Sequence, residues 1–340
     1  MLYLENDRTD PFFNLAVEEY FFRVAPCREE IFLLWRNEPT VVLGRNQNAL
    51  SEFNRDCAEA RRIHVVRRLT GGGAVYHDLG NLNYSFLTDA DETLCFEPFC
   101  QPVLKVLRKL GVPAEFSGRN DLVLRIASHD GEPHASETRK FSGSAQARFS
   151  GKRLHHGTLL FAVDLAQMAA VLTPDAEKFR SHAVRSVASR VANLADFFPP
   201  EVTLERFRDL LLEEVKWGAS SFSRRTFTPT EIRGIEKLRR EKYLRPEWNI
   251  GESPKSNFSV ERRFSWGKLC VELRIERGVV AEARLTGDFF ANADLETLTD
   301  KLTGLPFDRA VWAESLPETT LSAIFAQLTQ AEFLELIFGE

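Results

Sequence analysis

Between positions 67 and 81 the chain reads RRLTGGGAVYHDLGN: two arginines, three consecutive glycines and a His-Asp pair. Glycines remove side chains and let backbone N–H groups approach an anion, and an arginine beside them adds charge-assisted hydrogen bonds. On a strand, alternation would turn only one of Arg67 and Arg68 toward the glycines. The stretch is not a P-loop, which needs Gly-x4-Gly-Lys-Ser/Thr, and it lacks the Gly-x-Gly-x-x-Gly order of a dinucleotide turn. A glycine bulge in a hairpin is the alternative reading. His77 and Asp78 serve either as ligands or as a turn-stabilising pair.

A second cluster, KFSGSAQ, places Lys140, Ser142 and Ser144 on one face of an expected strand, with Gly143 leaving room for a ligand. A solvated lysine on a strand edge is the plainer alternative. In GRNDLVL, Asn120 and Asp121 open a strand, and Asp121 is either a turn cap or, beside phosphates, a Mg²⁺ carboxylate. His155 and His156 in LHHGTLL lack the His-x3-His spacing of a helical zinc site. The five cysteines, Cys27, Cys57, Cys95, Cys100 and Cys270, show no CxxC spacing and read as reduced, mostly buried thiols.

These groups need a scaffold. With 340 residues, 44% of them apolar and 27 of them phenylalanine, the chain can build cores for about two domains. A net charge of −5 and a pI near 5.9 argue against a general nucleic-acid binder. No apolar run approaches the roughly 20 residues that span a bilayer, so no membrane is expected. The start, MLYLENDRTD, has neither a secretory h-region nor an Arg-rich, acid-poor transit pattern, and a cytoplasmic address follows.

Asp10 and Pro11 cap a predicted amphipathic helix over FFNLAVEEYFFRV. IFLLWR and TVVLGR read as a strand pair with a turn at Asn-Glu-Pro, and RIHVVRRL and AVYHDLGNLNYSFL as strands on either side of the glycines. NRDCAEARR and residues 96 to 110 are helical by pattern. DLVLRI and RKFSGSAQARF form a hairpin across the polar ASHDGEPHASET, and RLHHGTLLFAV is a further strand. Helices dominate from 164 to 243. The Pro, Gly, Ser and Asn of LRPEWNIGESPKSN mark a boundary near residue 250, followed by three strands and a helix in DLETLTDKLTG. Without strict βαβ alternation, a doubly wound sheet is disfavoured.

Taken in order, DPFFNLAVEEY, LLWRNEPTVVLGRNQN, RRLTGGGAVYHDLGN, SGRNDLVL, KFSGSAQ, HHGTLL, SRVANL and EWNIGESPKSNFSVERRFSWG resemble lipoate-protein ligase A over nearly the whole chain. The specific part is Arg-Arg-x-x-Gly-Gly-Gly-x-Val-x-His-Asp followed by Lys-x-Ser-Gly-Ser-Ala. The resemblance implies an α+β fold: mixed and antiparallel sheets with flanking helices over residues 1–249, like the catalytic domains of biotin protein ligases and class II tRNA synthetases. A small α+β C-terminal domain covers 250–340.

It further implies a two-step reaction. Lipoate and ATP give lipoyl-AMP and pyrophosphate, and a lysine of an apo lipoyl domain then attacks the mixed anhydride, releasing AMP. The acceptors would be E2 subunits of 2-oxo acid dehydrogenases and the glycine-cleavage H protein. Lys140 matches the family's essential lysine, contacting both lipoate and nucleotide, and Arg68 its phosphate-contacting arginine. Gly71, Gly72, Gly73, Ala74, Val75 and Tyr76 fall in its adenylate-binding segment, and His156 matches a position lining the lipoyl pocket. Mg²⁺ accompanies ATP, with Asp121 as its contact, and no tightly bound prosthetic group is expected. Residues 145 to 155 would be a loop folding over the adenylate, with Ala147 where some relatives carry arginine. The nearest rival is a lipoyl or octanoyl transferase on the same scaffold that does not use ATP. Its cysteine-relay form is disfavoured because no cysteine lies within the matched motifs. A biotin ligase lacks its Gly-Arg-Gly-Arg-x-Gly-Arg signature here. A non-catalytic module binding lipoyl-AMP is a third reading.

Overall fold

The first helix, α1 (Pro11–Glu19), begins where Asp10 and Pro11 place it. The Asp10 carboxylate accepts from the backbone N–H of Phe12 at 2.9 Å and Phe13 at 3.2 Å, satisfying two donors that a helix start leaves unpaired. Its last residues run into a single π-helical turn, Tyr20–Val24. Almost every side chain of α1 is buried, including Glu18 and Glu19. The computed structural model describes residues 1–25, 29–49, 52–90, 94–118, 120–127, 136–172, 190–251 and 257–339.

The main sheet has eight strands in the order β11 (Ser223–Arg225), β1 (Leu2–Leu4), β2 (Ile31–Trp35), β6 (Asn81–Asp89), β10 (Lys152–Leu160), β9 (Ser136–Phe149), β8 (Asp121–Ala127) and β7 (Ala114–Ser117). β1 pairs in parallel with β2 and β11, and the remaining neighbours are antiparallel. Alternation gives each face its own core. Phe32, Leu34, Leu82, Tyr84 and Phe86 point toward α3 (Glu97–Lys109) and α5 (Leu204–Gly218). Ile31, Leu33, Trp35 and Leu87 point the other way, toward α1. A second sheet, β4 (His64–Arg67), β3 (Thr40–Leu43), β5 (Val75–His77), shares the α1 side through Val42 and Val66. It carries a further core with α2 (Arg55–Ala60) and α4 (Leu165–Val171).

After α6 (Pro229–Leu238) and α7 (Pro246–Asn249), an antiparallel sheet of β12 (Phe258–Phe264), β13 (Gly267–Glu276) and β14 (Val279–Gly287) packs its apolar side on α8 (Glu296–Leu302), α9 (Arg309–Ser315), α10 (Glu318–Ile324) and α11 (Gln330–Phe338). The architecture is the α+β mixture expected, with a large mixed sheet flanked by helices and a small C-terminal α+β unit.

Several local expectations are corrected. β2 and β3 are not a strand pair: β2 pairs with β6, and β3 sits in the second sheet. The alternative reading of the glycines, a bulge in a hairpin, also fails, because β3 lies between β4 and β5. Both errors have one cause: neighbouring runs of apolar residues signal strands without signalling partners. Residues 145 to 155 are a ladder-paired hairpin, not a free loop. Phe149 pairs with Lys152 across Ser150 and Gly151, both at positive φ (47° and 75°), the geometry of a two-residue type I′ turn. β1, β11 and the helices after residue 308 lay outside the sequence reading. Of the four described cysteines only Cys100 is buried, since Cys57 and Cys270 are half-buried and Cys95 is exposed. Cys27, most of the polar segment before β9 and residues 252–256 at the suspected boundary lie outside the described residues.

Candidate functional site

The two arginines of the opening motif diverge, as alternation requires. Arg67 turns away from the glycines and donates from Nη1 to the carbonyls of Gly44, Arg45 and Gln47, and from Nε to that of Trp248. Arg68 turns toward them. Its Nη2 donates to Gly71 O at 2.7 Å and Gly73 O at 2.8 Å, its Nη1 to Val42 O and its Nε to Thr70 Oγ1. The guanidinium thus holds the glycine loop in a fixed curve. Burial lowers both arginines to about 10, so both stay charged near neutral pH.

The charge of Arg68 is answered through a buried chain. Thr70 Oγ1, which accepts from Arg68, lies 2.8 Å from His156 Nε2, and His156 Nδ1 lies 3.0 Å from both oxygens of Glu18. Ser85 donates to Glu18 at 2.6 Å and accepts from Trp35 Nε1 at 2.8 Å. With Thr70 donating to Nε2, the imidazole carries its hydrogen on Nδ1, and the side-chain polar atoms of Thr70, His156, Glu18, Ser85 and Trp35 are all partnered. Glu18 and Thr70 were missed from sequence; a carboxylate on the apolar stripe of α1 was the available signal.

Lys140 sits on β9 at a bulge. Leu122 pairs with Ser142 but Val123 pairs with Lys140, so Phe141 is an extra residue in the ladder. The bulge breaks the alternation that would put Lys140, Ser142 and Ser144 on one face: Phe141 enters the core and Ser142 is buried with an unpartnered Oγ. Lys140 Nζ lies 2.8 Å from Asp121 Oδ1. Gly143 makes the space: a Cβ there would come within 3.0 Å of the ammonium. Asn120 Nδ2 donates to Ser144 O at 2.7 Å.

Arg68, Gly72, Gly73, Ala74, Val75, Lys140 and His156 all line one cavity of about 130 Å³. Leu15, Trp35, Val42, His77, Asn83, Asn120, Thr158 and Phe290 contribute to the same wall. Three of the site residues that the resemblance implied lie outside this lining. Gly71 faces a second cleft with Arg23, Arg45 and Arg148. Asp121 is reached through Lys140. Tyr76 turns its side chain into the core behind β5, where its hydroxyl meets Gln167 and burial pushes it up to about 12. Asp78 is a structural residue, capping Gly80 N at 2.8 Å and Asp164 N at 2.9 Å. His155 faces α3, stacked on Phe99 at 4.7 Å, and burial pushes it well below the usual histidine range.

The cavity joins a largely apolar end at Trp35 and His156 to a lysine-carboxylate pair, a layout suited to holding an apolar tail with its reactive group at a cation. Residues 10–216 match the Lipoyl protein ligase A/B catalytic domain family, and residues 253–337 match the Bacterial lipoate protein ligase C-terminus. The chain therefore belongs to the lipoate-protein ligase family. It is 36% identical to the Bacillus subtilis lipoate-protein ligase LplJ, over 99% of this chain and 100% of that protein. Among solved structures it resembles the bi-partite lipoate protein ligase of Thermoplasma acidophilum, described with its E2 lipoyl domain. That similarity has a TM-score of 0.65 and 31% identity over 76% of this chain and 98% of that one. A lipoate-protein ligase A bound with ATP aligns with a TM-score of 0.59 and 29% identity over 74% of this chain and 98% of that one.

Among the described residues no helix is long and apolar enough to cross a membrane. Cys100 is poorly placed as an acyl relay. Its thiol is buried between Tyr84 and Ser144, and burial raises it above the usual thiol range.

Proposed function

We propose that this chain is an ATP-dependent lipoate-protein ligase that forms lipoyl-AMP and passes the lipoyl group to a lysine of a lipoyl domain. Family membership across nearly the whole chain carries the reading, and a cavity with an apolar end and a lysine at its polar end supports it. Lipoate's carboxylate must approach an α-phosphate of the same sign, so a cation has to offset their repulsion. In this reading Lys140 is that cation, bridging the carboxylate and phosphate oxygens. In the second step it stabilises negative charge on the acyl oxygen as the acceptor amine attacks and AMP leaves.

The backbone from Gly71 to Tyr76 would carry the nucleotide, held in shape by Arg68, which donates to Thr70, Gly71 and Gly73 of that loop and to Val42 of β3. His156 would close the lipoyl end through its bonds to Glu18 and Thr70.

Asp121 suits Mg²⁺ held mainly by nucleotide phosphates, a site type that takes one or two protein carboxylates. Among the described residues no group of three or more His, Cys, Asp or Glu gathers to hold an ion by protein ligands alone. Mg²⁺ would neutralise phosphate charge during adenylation. We place the boundary between catalytic and accessory units near residue 250, supported by separate apolar cores on either side. E2 lipoyl domains and the glycine-cleavage H protein are the proposed acceptors, and the cytoplasm the compartment.

Mass spectrometry of an apo lipoyl domain mixed with this protein and lipoate, with and without ATP and Mg²⁺, tests the reading. A lipoyl mass shift that requires ATP supports it. A shift only from preformed lipoyl-AMP would replace it with a transferase.

A further inference from the structure

Strand register sets a row of residues across the cavity floor. Gly143, which lies against the Lys140 ammonium, donates its N–H to Thr158 Oγ1 at 3.2 Å. Thr158 on β10 is the register partner of Asn83 on β6, and Asn83 is that of Trp35 on β2. All of them line the cavity. From β9 across β10 to β6 is two strand spacings, about 10 Å, close to the span of lipoate from carboxylate to ring. With its carboxylate at Lys140, lipoate therefore sets its dithiolane ring beside Asn83 and Trp35.

That end is not wholly apolar. Asn81 Nδ2 donates to Asn83 Oδ1 at 2.9 Å, which leaves Asn83 Nδ2 buried without a partner. His77 also lines the cavity, and the Trp35 ring meets it edge to face at 6.0 Å. Asn14 Nδ2 donates to Asn37 Oδ1 at 2.9 Å, so Asn37 presents its Nδ2 to His77 Nδ1 at 3.1 Å. The imidazole hydrogen is therefore on Nε2, and that atom is buried with no acceptor. Burial lowers His77 to about 3, so it is a neutral donor.

Folded proteins leave few buried donors unpaired, and two at one end of one cavity point to acceptors on the ligand. The hydrocarbon part of an acyl chain has none. What lipoate carries at this end, and a plain fatty acid lacks, is a pair of divalent sulfurs, which accept weak hydrogen bonds. An apolar wall by itself distinguishes poorly between chains of similar length, whereas donors stranded by the wrong chain penalise it. We propose that the Asn83 amide and His77 imidazole N–H groups donate to the dithiolane sulfurs and make this chain select lipoate over octanoate and other sulfur-free acids of similar length. The inference concerns which acyl group is chosen, and it rests on the lipoate-ligase reading above.

The test is a competition. The full chain is mixed with an apo lipoyl domain, ATP, Mg²⁺ and equal concentrations of lipoate and one rival acid, and mass spectrometry of the product gives the ratio of the two kcat/KM values. One rival is octanoate. The other is cyclopentylpentanoate, which keeps the ring and chain of lipoate and replaces both sulfurs by methylenes. Lipoate should win by about tenfold or more against either, and Asn83→Leu and His77→Phe, which remove one donor each, should each cut that ratio by about threefold or more. A ratio internal to one reaction does not depend on how much of a variant is folded, and either variant suffices if thermal unfolding shows the other to be unfolded. A wild-type ratio near one, or a ratio unchanged in the variants, overturns the proposal. A preference over octanoate that vanishes against cyclopentylpentanoate also overturns it, because ring shape and not sulfur would then be the cue. If the wild-type chain transfers neither acid, the ligase reading fails separately. The ratio of the Kd values for the two acids, measured by calorimetry on the same proteins, then decides the proposal.

Discussion

Gly72 donates its backbone N–H to the carbonyl oxygen of Phe289 at 3.1 Å, which ties the glycine loop to the C-terminal unit. The next side chain, Phe290, closes the cavity wall. A Cβ added at Gly71 would stand 2.3 Å from that same Phe289 oxygen. Gly71→Ala therefore forces loop and C-terminal unit apart. It should lower stability by about 1–3 kcal/mol, read as a drop in Tm, and increase cleavage in limited proteolysis. A Tm equal to wild type would mean that the contact yields freely.

Lys140→Ala should abolish measurable lipoyl transfer, with a loss of about 10²-fold or more in the rate of lipoyl-AMP formation. The side chain is 42% exposed, so Tm should change little. Turnover at the wild-type rate would defeat the proposed mechanism.

Asp121 has two candidate roles, holding the Lys140 ammonium or contacting Mg²⁺. Asp121→Asn separates them through the Mg²⁺ titration of adenylation. A rise of about tenfold or more in the Mg²⁺ concentration for half-maximal rate is expected for a metal contact. An unchanged Mg²⁺ midpoint with lower kcat would leave only the ion pair.

Glu18→Leu removes the acceptor of both Ser85 and His156 in a buried site. Stability should fall by about 2–4 kcal/mol, because the stranded donors cannot reach water. Urea unfolding measures this as a lower midpoint at similar slope, and Glu18→Gln should lose less.

Burial holds His77 to about 3 and His155 well below the ordinary 6.5 in the folded protein. As pH falls through 6.5, the unfolded chain takes up protons that the folded one refuses, and stability declines. The decline belongs to the window from about 6.5 down to 3 for His77. Tm measured from pH 7 to 4 should fall, and His155→Phe should flatten the curve. An identical slope in that variant would exclude His155 as a contributor.

Much of the site was legible because its signals are local. Three glycines beside paired arginines mark a backbone that something must approach, and strand alternation separated Arg67 from Arg68 before any partner was known. The helix start at Asp10 and the strand at Lys140 follow from neighbours within a few residues. Other groups could not be read this way. Glu18 and His156 lie 138 positions apart, and their 3.0 Å contact exists only because α1 packs over β10. The bulge at Phe141 was equally hidden, since it depends on where β8 stops its register.

The residue types themselves determined the α+β class, the capped first helix, the divergence of the two arginines and the resemblance that led to a ligase. All of these rest on short-range periodicity or on the order of motifs along the chain. Tertiary structure alone decided that β3 separates β4 from β5, that Arg68 is spent holding the glycine loop, that Phe290 closes the cavity and that His77 and Asn83 face it unpaired. Strand partnership and hydrogen-bond satisfaction are properties of groups distant in sequence. They are settled when the sheets close on one another and water is excluded, which no local pattern records.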